Sequence, residues 1–169
     1  MKEKPNNLEQ HNRLVIKELP ELSLEEKIAL RKKKDEATRA QESEEVSRIC
    51  QKYNKGDRFD FTLEKRGSTF SIILEGVRVG SFFLKEDGKT KLVGMIMLNN
   101  SLKGKGFGKQ LYVKLNEYFR NTDGSVLMSD MMRLSDEAEG LWKSLEKDGL
   151  VELTNIETAD GHKVYRFKN

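Results

Sequence analysis

The sequence is poor in the residues that mark several classes of protein. Its 169 residues include one cysteine, two histidines and two prolines. The single cysteine, Cys50, cannot form an internal disulfide, and His11 and His162 are too far apart in the sequence to show metal-ligand spacing. We therefore expect no metal site, and we expect a reducing, cytoplasmic environment.

Long apolar runs and a strong charge of one sign are also missing. No run reaches the roughly 18 apolar residues that a membrane-spanning helix needs, and the N-terminus lacks the apolar segment of a signal peptide. Membrane association is therefore not expected. The 31 basic residues nearly balance the 28 acidic residues, which leaves a net charge of +3. This balance disfavours nucleic acid as a partner and identifies no other.

The charge is concentrated in the first third of the chain. Because the length suits one domain with an appendage, we predict a charged N-terminal helical extension over residues 1–56 and a compact domain over residues 57–169. Ser23 and Glu26 have the spacing of a capping box, which places a helix start near Ser23. Towards the end of this helix, Ile49 and Cys50 lie on an apolar stripe, so we interpret Cys50 as a structural residue.

The first half of the domain has the alternation of antiparallel strands separated by glycine turns. The segments cover residues 59–63, 69–75, 77–85 and 91–98. The last segment is almost continuously apolar, which predicts a central strand buried on both faces. Further strands are expected at residues 124–131, 151–156 and 162–167, the last two joined by a hairpin around Asp160 and Gly161. The pattern predicts an α/β fold with a mixed, largely antiparallel central sheet and flanking helices.

A glycine-rich loop follows the fourth strand and leads directly into a helix. Over Lys103–Lys109, glycine occupies alternate positions, so that backbone amides can face a common point without interference from Cβ atoms. The helix adds its free N–H groups and the positive end of its dipole. Apolar residues recur along this helix at positions 107, 111, 115 and 119, which would place it on the sheet. The loop is therefore predicted to bind phosphate or pyrophosphate.

Two common phosphate-binding folds fit this segment poorly. A P-loop requires a hydroxyl residue after Gly-Lys to bind magnesium, but Gln110 follows Gly108 and Lys109. A dinucleotide-binding fold places the glycine motif after its first strand, whereas four strands precede it here. Nucleoside triphosphates and NAD are therefore disfavoured.

The loop resembles the coenzyme A loop of the GNAT acetyltransferase superfamily, usually written Gln/Arg-x-x-Gly-x-Gly/Ala. Lys103 stands where that family has Gln or Arg, and Gly106 and Gly108 match its glycine positions. The segment from Ser135 to Trp142 is similar to the second helix of the family, Asn-x-x-Ala-x-x-Leu-Tyr. The resemblance covers about residues 58–168 and leaves the N-terminal extension unexplained.

The resemblance implies a site for acetyl-CoA as acyl donor and no metal. Acetyl-CoA would lie where the strand ending at Leu98 diverges from the strand near residues 127–130, with the Leu98 N–H stabilising the carbonyl oxygen. The residues that this likeness assigns to cofactor binding are Met97, Leu98, Lys103, Gly104, Lys105, Gly106, Phe107, Gly108, Lys109, Ser135 and Trp142.

Catalysis in such a site needs a base for the amine, which must be neutral to attack. Asp130, Ser129 and Glu75 are the candidates that this architecture brings within reach. Trp142 stands where the family often has a tyrosine that protonates the departing thiolate, and an indole cannot act as an acid at neutral pH. Another group or water would then have to supply the proton.

The expected function is N-acetyl transfer from acetyl-CoA to a primary amine of a small molecule or protein, by direct attack in a ternary complex. Two alternatives stay open: a catalytically weak acyl-CoA-binding regulator, and a partner-binding protein with a vestigial cleft. Independently of the function, three roles stay open for the N-terminal extension: a docking element, a homodimer contact or a cover over the acceptor side of the cleft.

Overall fold

The computed structural model describes residues 14–33, 36–131, 134–157 and 161–168. The helices are α1 (Leu24–Lys33), α2 (Glu36–Gln51), α3 (Phe107–Thr122) and α4 (Asp136–Lys147). The strands are β1 (Ile16–Glu18), β2 (Phe61–Arg66), β3 (Thr69–Leu74), β4 (Val77–Asp87), β5 (Thr90–Leu98), β6 (Val126–Ser129), β7 (Val151–Glu157) and β8 (Lys163–Phe167). Asp160, part of the predicted last hairpin, lies outside the described residues.

All these strands join one sheet in the order β1-β2-β3-β4-β5-β6-β8-β7. Strands β2 to β5 form an antiparallel meander, β6 lies parallel to β5, and β8 lies antiparallel to both of its neighbours. Helix α3 connects the parallel pair. The predicted α/β class, with a mixed and largely antiparallel sheet flanked by helices, is confirmed.

The N-terminal segment contributes to the same core. The predicted capping box is present, because the Ser23 N–H donates to the Glu26 carboxylate at 2.7 Å and the Glu26 N–H donates to the Ser23 hydroxyl at 3.2 Å. Helices α1 and α2 cover the segment in which the sequence pattern indicates one helix, and residues 34 and 35 between them lie outside the described residues. Leu14 is buried, as are Ile49 and Cys50 near the end of α2. The division of the chain between residues 56 and 57 stays a prediction.

Helix α3 packs on one face of the sheet through the apolar stripe that the sequence predicts. Its residues Phe107, Leu111, Leu115 and Phe119 are all buried. Phe107 contacts Phe61 of β2 with ring centroids 5.1 Å apart. Side chains alternate between the two faces of a sheet along each strand, and directly paired residues of neighbouring strands share a face. The pairs that lead from β2 through β3 and β4 to β5 therefore place Ile96 on the same face as Phe61.

Strand β5 is central in the sheet, but the prediction that both of its faces are buried is wrong for its second half. The side chains of Met95 and Met97 are 66% and 60% exposed. Met97 pairs with Ser81 on the face opposite α3, whereas Ile96 faces the helix. A continuous apolar run does not distinguish a covered face from an open one, which explains the error.

A β-bulge interrupts β5 at the point where its second half begins. The ladder with β4 pairs Leu84 with Val93 and Phe82 with Ile96, so that Gly94 and Met95 together stand opposite Phe83. Bulges bend a strand and increase its twist. The bulge therefore redirects the end of β5 relative to the rest of the sheet.

The close approach of β4 to the end of β5 gives a first prediction. A Cβ atom at Gly80 would lie 2.5 Å from the carbonyl oxygen of Met97. We expect Gly80→Ala to lower the free energy of unfolding by about 1–3 kcal/mol, because the two strands must separate. Urea denaturation measures the change.

Gly140→Ala is the matched control, because a Cβ atom at this position of α4 meets nothing within 4 Å. Replacing a glycine inside a helix should raise the stability by roughly 0.5–1 kcal/mol. Equal unfolding midpoints for the two variants would contradict the packing described for Gly80.

Candidate functional site

An opening in the sheet begins where the parallel pair of strands separates. Strand β5 pairs with β6 from Thr90–Val126 to Val93–Ser129, and the ladder ends there. Strand β5 nevertheless continues to Leu98. Over Gly94–Leu98, the edge that would face β6 thus has no strand partner among the described residues. Such an edge can hydrogen-bond to an extended ligand.

The Leu98 N–H points into this opening. The Asn99 N–H donates to the carbonyl of Val79 in β4 at 2.9 Å. Because successive N–H groups of a strand point to alternate sides, the N–H of Leu98 faces away from β4. The structure therefore places this predicted donor, together with the backbone of Met97, along the open edge.

The glycine loop closes one end of the opening. The Asn99 side chain caps a short 3-10 turn by accepting from the Ser101 N–H at 2.9 Å, and the chain then turns sharply before α3. Gly104 and Gly106 have φ angles of 72° and 90°. This left-handed region explains why glycine is required at both positions.

The start of α3 presents backbone donors to the loop. The Gln110 N–H bonds to the carbonyl of Gly106 at 3.2 Å. Within the described part of the chain, the amides of Phe107, Gly108 and Lys109 have no hydrogen-bond partner, as expected for the first turn of a helix. Together with the helix dipole, they form a potential anion site.

Gly108 lies in the first turn of α3, beside α4. A Cβ atom at Gly108 would lie 3.4 Å from the side chain of Leu141 in α4, which is an ordinary van der Waals distance. The packing of the two helices beside the loop would therefore admit a Cβ atom at this position.

All three lysines of the loop have partners. The ammonium group of Lys103 lies 3.0 Å from the carboxylate of Glu137, and that of Lys109 forms an ion pair with Asp148. The ammonium group of Lys105 donates to the carbonyl of Cys50 at 3.0 Å. In this arrangement, an anion would be held mainly by backbone amides and the helix dipole.

Helix α4 borders the site but contributes mostly structural groups. The Ser135 hydroxyl accepts from the Ala138 N–H at 3.2 Å and so caps the N-terminus of α4, while its predicted contact with a cofactor stays a prediction. Trp142 is buried between Tyr112 and Tyr165, with ring centroids at 5.0 Å and 6.1 Å. Its indole is thus part of the hydrophobic core, and its predicted contact with a cofactor stays a prediction.

Two of the predicted bases, Ser129 and Asp130, lie where the strands separate. Ser129 is fully buried and its hydroxyl accepts from the Tyr165 N–H at 3.0 Å, so this hydroxyl joins β6 to β8. Asp130 follows the last residue of β6 directly and is half-buried. The ladder with β5 ends beside this pair of residues.

The third predicted base, Glu75, lies apart from these two in the β3–β4 turn. Its carboxylate accepts from the Lys52 ammonium at 2.5 Å and from the Tyr53 hydroxyl at 3.1 Å. The hydrogen bond from Lys52 lowers the pKa of Glu75, which makes the carboxylate a weaker base. Burial, together with this bond to Glu75, raises the pKa of Tyr53 to about 12.

Sequence reasoning missed two polar side chains that attach α3 to the segment before β2. Gln110 and Lys114 are spaced four residues apart on the helix, and both bond to the backbone near Phe59. The spacing was a signal, because long polar side chains at i and i+4 share one flank of a helix.

The described residues form neither a metal-binding cluster nor a membrane-spanning helix. Among the residues described, no group of three or more His, Cys, Asp or Glu side chains could hold a metal ion. None of the described helices has the length and hydropathy to cross a membrane.

Comparisons with known proteins return only distant structural similarities. No protein-family model and no curated protein matches the chain. The chain is similar to an acetyltransferase from Agrobacterium tumefaciens, with 17% identity, 60% of each chain covered and a TM-score of 0.47. It is also similar to the ribosomal-protein-S18-alanine N-acetyltransferase from Escherichia coli, with 14% identity, 59% of this chain and 66% of that chain covered and a TM-score of 0.41.

A third similar structure is the PaiA N-acetyltransferase from Thermoplasma acidophilum in complex with coenzyme A. The identity is 13%, 60% of each chain is covered and the TM-score is 0.45. Each of the three alignments spans less than two thirds of the solved chain. With TM-scores below 0.5, these similarities decide neither the family nor the activity of this chain.

The buried bond of Ser129 gives a second prediction. We expect Ser129→Ala to lower the free energy of unfolding by about 1–3 kcal/mol, because the Tyr165 N–H loses its acceptor inside the protein. Ser71→Ala, on a half-buried position of β3, is the control and should change stability by less than about 0.5 kcal/mol. A change equally small at Ser129 would show that its hydroxyl has no structural role.

Proposed function

We propose that the chain is an N-acetyltransferase that transfers an acetyl group from acetyl-CoA to a primary amine in a ternary complex. The observation that carries the proposal is the open edge of β5, which leads directly into the amide-lined turn at the start of α3.

Coenzyme A has the chemistry that such an arrangement requires. It joins a pyrophosphate to an extended arm that contains two amide groups. At about 3.3 Å per residue, the edge from Gly94 to Leu98 extends for roughly 15 Å. The amides of the arm would pair with this edge as an added strand, and the pyrophosphate would bind the amides of Phe107, Gly108 and Lys109. The resemblance of Lys103–Gly108 to the GNAT coenzyme A loop supports the same ligand.

The backbone N–H of Leu98 is the group that would assist the transfer of the acetyl group. In this pose, the acetyl carbonyl lies beside the Leu98 N–H, which would stabilise the negative charge that forms on its oxygen as the amine attacks the carbonyl carbon. One aligned donor of this kind contributes roughly 3 kcal/mol to the barrier reduction. Collapse of the tetrahedral intermediate breaks the C–S bond and releases coenzyme A as the thiolate. The amine nitrogen loses a proton, and the thiolate gains one from water or from the protonated base.

Asp130 is the proposed base, acting directly or through one water molecule. It stands at the end of β6, beside the point where β5 departs. The acceptor would approach from the face that carries Met95 and Met97, because α3 covers the other face. Both a small amine and the lysine or N-terminus of a protein could reach this open face.

A second candidate is an acyl-CoA-binding regulator with little transferase activity. Three observations favour it: the Ser129 hydroxyl bonds to the backbone, Glu75 is held in an ion pair, and Trp142 is a core residue that cannot donate a proton at neutral pH. Both candidates require the same coenzyme A site, and they differ in turnover alone.

The coenzyme A site is tested by calorimetric titration of Gly106→Glu. We expect wild-type protein to bind acetyl-CoA and coenzyme A, and the variant to bind each at least tenfold more weakly. The new carboxylate would repel the pyrophosphate, and its residue would be strained at a φ of 90°.

Gly124→Glu provides the control at the opposite end of α3. Gly124 also has a positive φ, 71°, and a Cβ atom there meets nothing within 4 Å. The control carries the same charge and a similar strain, so it should retain the wild-type affinity. If both variants bound coenzyme A as tightly as the wild-type protein, the loop would not be part of the coenzyme A site.

Turnover is tested by measuring the release of the coenzyme A thiol from acetyl-CoA with peptides, polyamines, aminoglycosides and charged tRNA. With an accepted amine, we expect Asp130→Asn to lower kcat by roughly a hundredfold or more, and Glu75→Gln to change it little. Binding without release for every acceptor would favour the regulator. An Asp130→Asn variant with wild-type kcat would exclude this base.

A further inference from the structure

Gln110 connects the start of α3 to the chain segment before β2. Its side-chain oxygen accepts from the Phe59 N–H at 3.0 Å, and its side-chain nitrogen donates to the Asp57 carbonyl at 2.7 Å. A carboxamide can donate and accept at once, whereas a carboxylate or an ammonium group cannot do both. The residue that follows the free amides of α3 is thereby held in one position.

A second connection reaches the turn of the loop itself. The Lys105 ammonium donates to the Cys50 carbonyl at 3.0 Å, and the Lys105 carbonyl accepts from the Gly56 N–H at 3.3 Å. We call residues 50–59 the brace. It contacts the loop between Gly104 and Gly106 and again at the first turn of α3.

Aromatic packing fills the space between the brace and the helix. Phe59 is completely buried and stacks on Tyr53 at a centroid distance of 4.8 Å. It also meets the edge of Phe107, the first residue of α3, at 4.9 Å. Lys114 adds a hydrogen bond from its ammonium group to the Phe59 carbonyl at 3.0 Å. The brace is therefore a packed part of the structure around the loop.

We propose that the brace fixes the loop in its ligand-binding conformation, and that Gln110 is the positioning residue that joins the two. A turn with several glycines has many accessible conformations, so that ordering it on binding would reduce affinity. Contacts that order the turn beforehand remove this loss. The identification of pyrophosphate as the bound group rests on the proposed function. The proposal that the brace fixes the conformation of the loop does not rest on it.

The proposal also links the N-terminal helices to the site. The brace begins at the last turn of α2, and its residues Lys52 and Tyr53 bind Glu75 of the β3–β4 turn. Because linkage is reciprocal, a partner that displaces α2 would change ligand affinity by the same factor by which the ligand changes affinity for that partner.

The conformational part is tested by amide hydrogen exchange of the ligand-free, full-length protein. In Gln110→Met, we expect the hydrogen-bonded amides of Lys103 and Lys105 in the loop, and of Gly56 in the brace, to exchange at least tenfold faster, while β3 and β4 keep their wild-type protection. Gln51→Met makes the same chemical change on an exposed position within the brace, where no side-chain bond joins it to the loop, and should leave the exchange unaltered. Wild-type protection of the Lys103, Lys105 and Gly56 amides in Gln110→Met would overturn the proposal. Loss of protection throughout the sheet would also overturn it, since Gln110 would then stabilise the fold as a whole.

The link to ligand binding is tested by titration with coenzyme A and with pantetheine, which lacks the pyrophosphate. Gln110→Met should weaken coenzyme A binding about tenfold and leave pantetheine binding unchanged. An equal loss for both ligands would overturn the positioning role. If wild-type protein bound no coenzyme A, the proposed function would fail, and the exchange measurement would still decide whether the brace orders the loop.

Discussion

Strand β5 is held on both edges over its first half and by β4 alone over its second half. The ladder with β6 ends at Val93, and from Gly94 onward the backbone groups on that edge must bond to water or to a ligand. The end of the strand stays in place because Gly80 allows β4 to approach Leu98 closely. The direction of the loop and the position of α3 both follow from this one-sided attachment.

The electrostatics of the loop depend on the backbone more than on its lysines. Exposed ion pairs such as Lys103–Glu137 contribute at most about 1 kcal/mol to stability, so an incoming phosphate could replace the carboxylate at little loss. The amides of α3 have no such competitor among the described residues. The selection of a ligand would therefore depend on how well its phosphate group fits the turn, and only weakly on the net charge of the ligand.

The sequence predicted those features that are encoded locally. The glycine turns, the apolar stripe of α3 and the cap at Ser23 each need only a few neighbouring residues, and each is present in the structure. The exposure of Met97 and the bonds of Gln110 depend on which distant segment packs beside them. A pattern along one segment does not contain that information, so the open face of β5 and the brace could not be derived from the sequence.

The same limit applies to the choice of a base, and here the sheet geometry is informative. Ser129 pairs with Val93, which shares the face of Leu84 and therefore the side of α3. The next residue, Asp130, follows the last residue of β6 directly and is half-buried. The face that carries Met97 is exposed, whereas the Ser129 hydroxyl is buried and bonded to β8. Ser129 therefore stabilises the sheet where it divides, which leaves the adjacent Asp130 as the proposed base at this point.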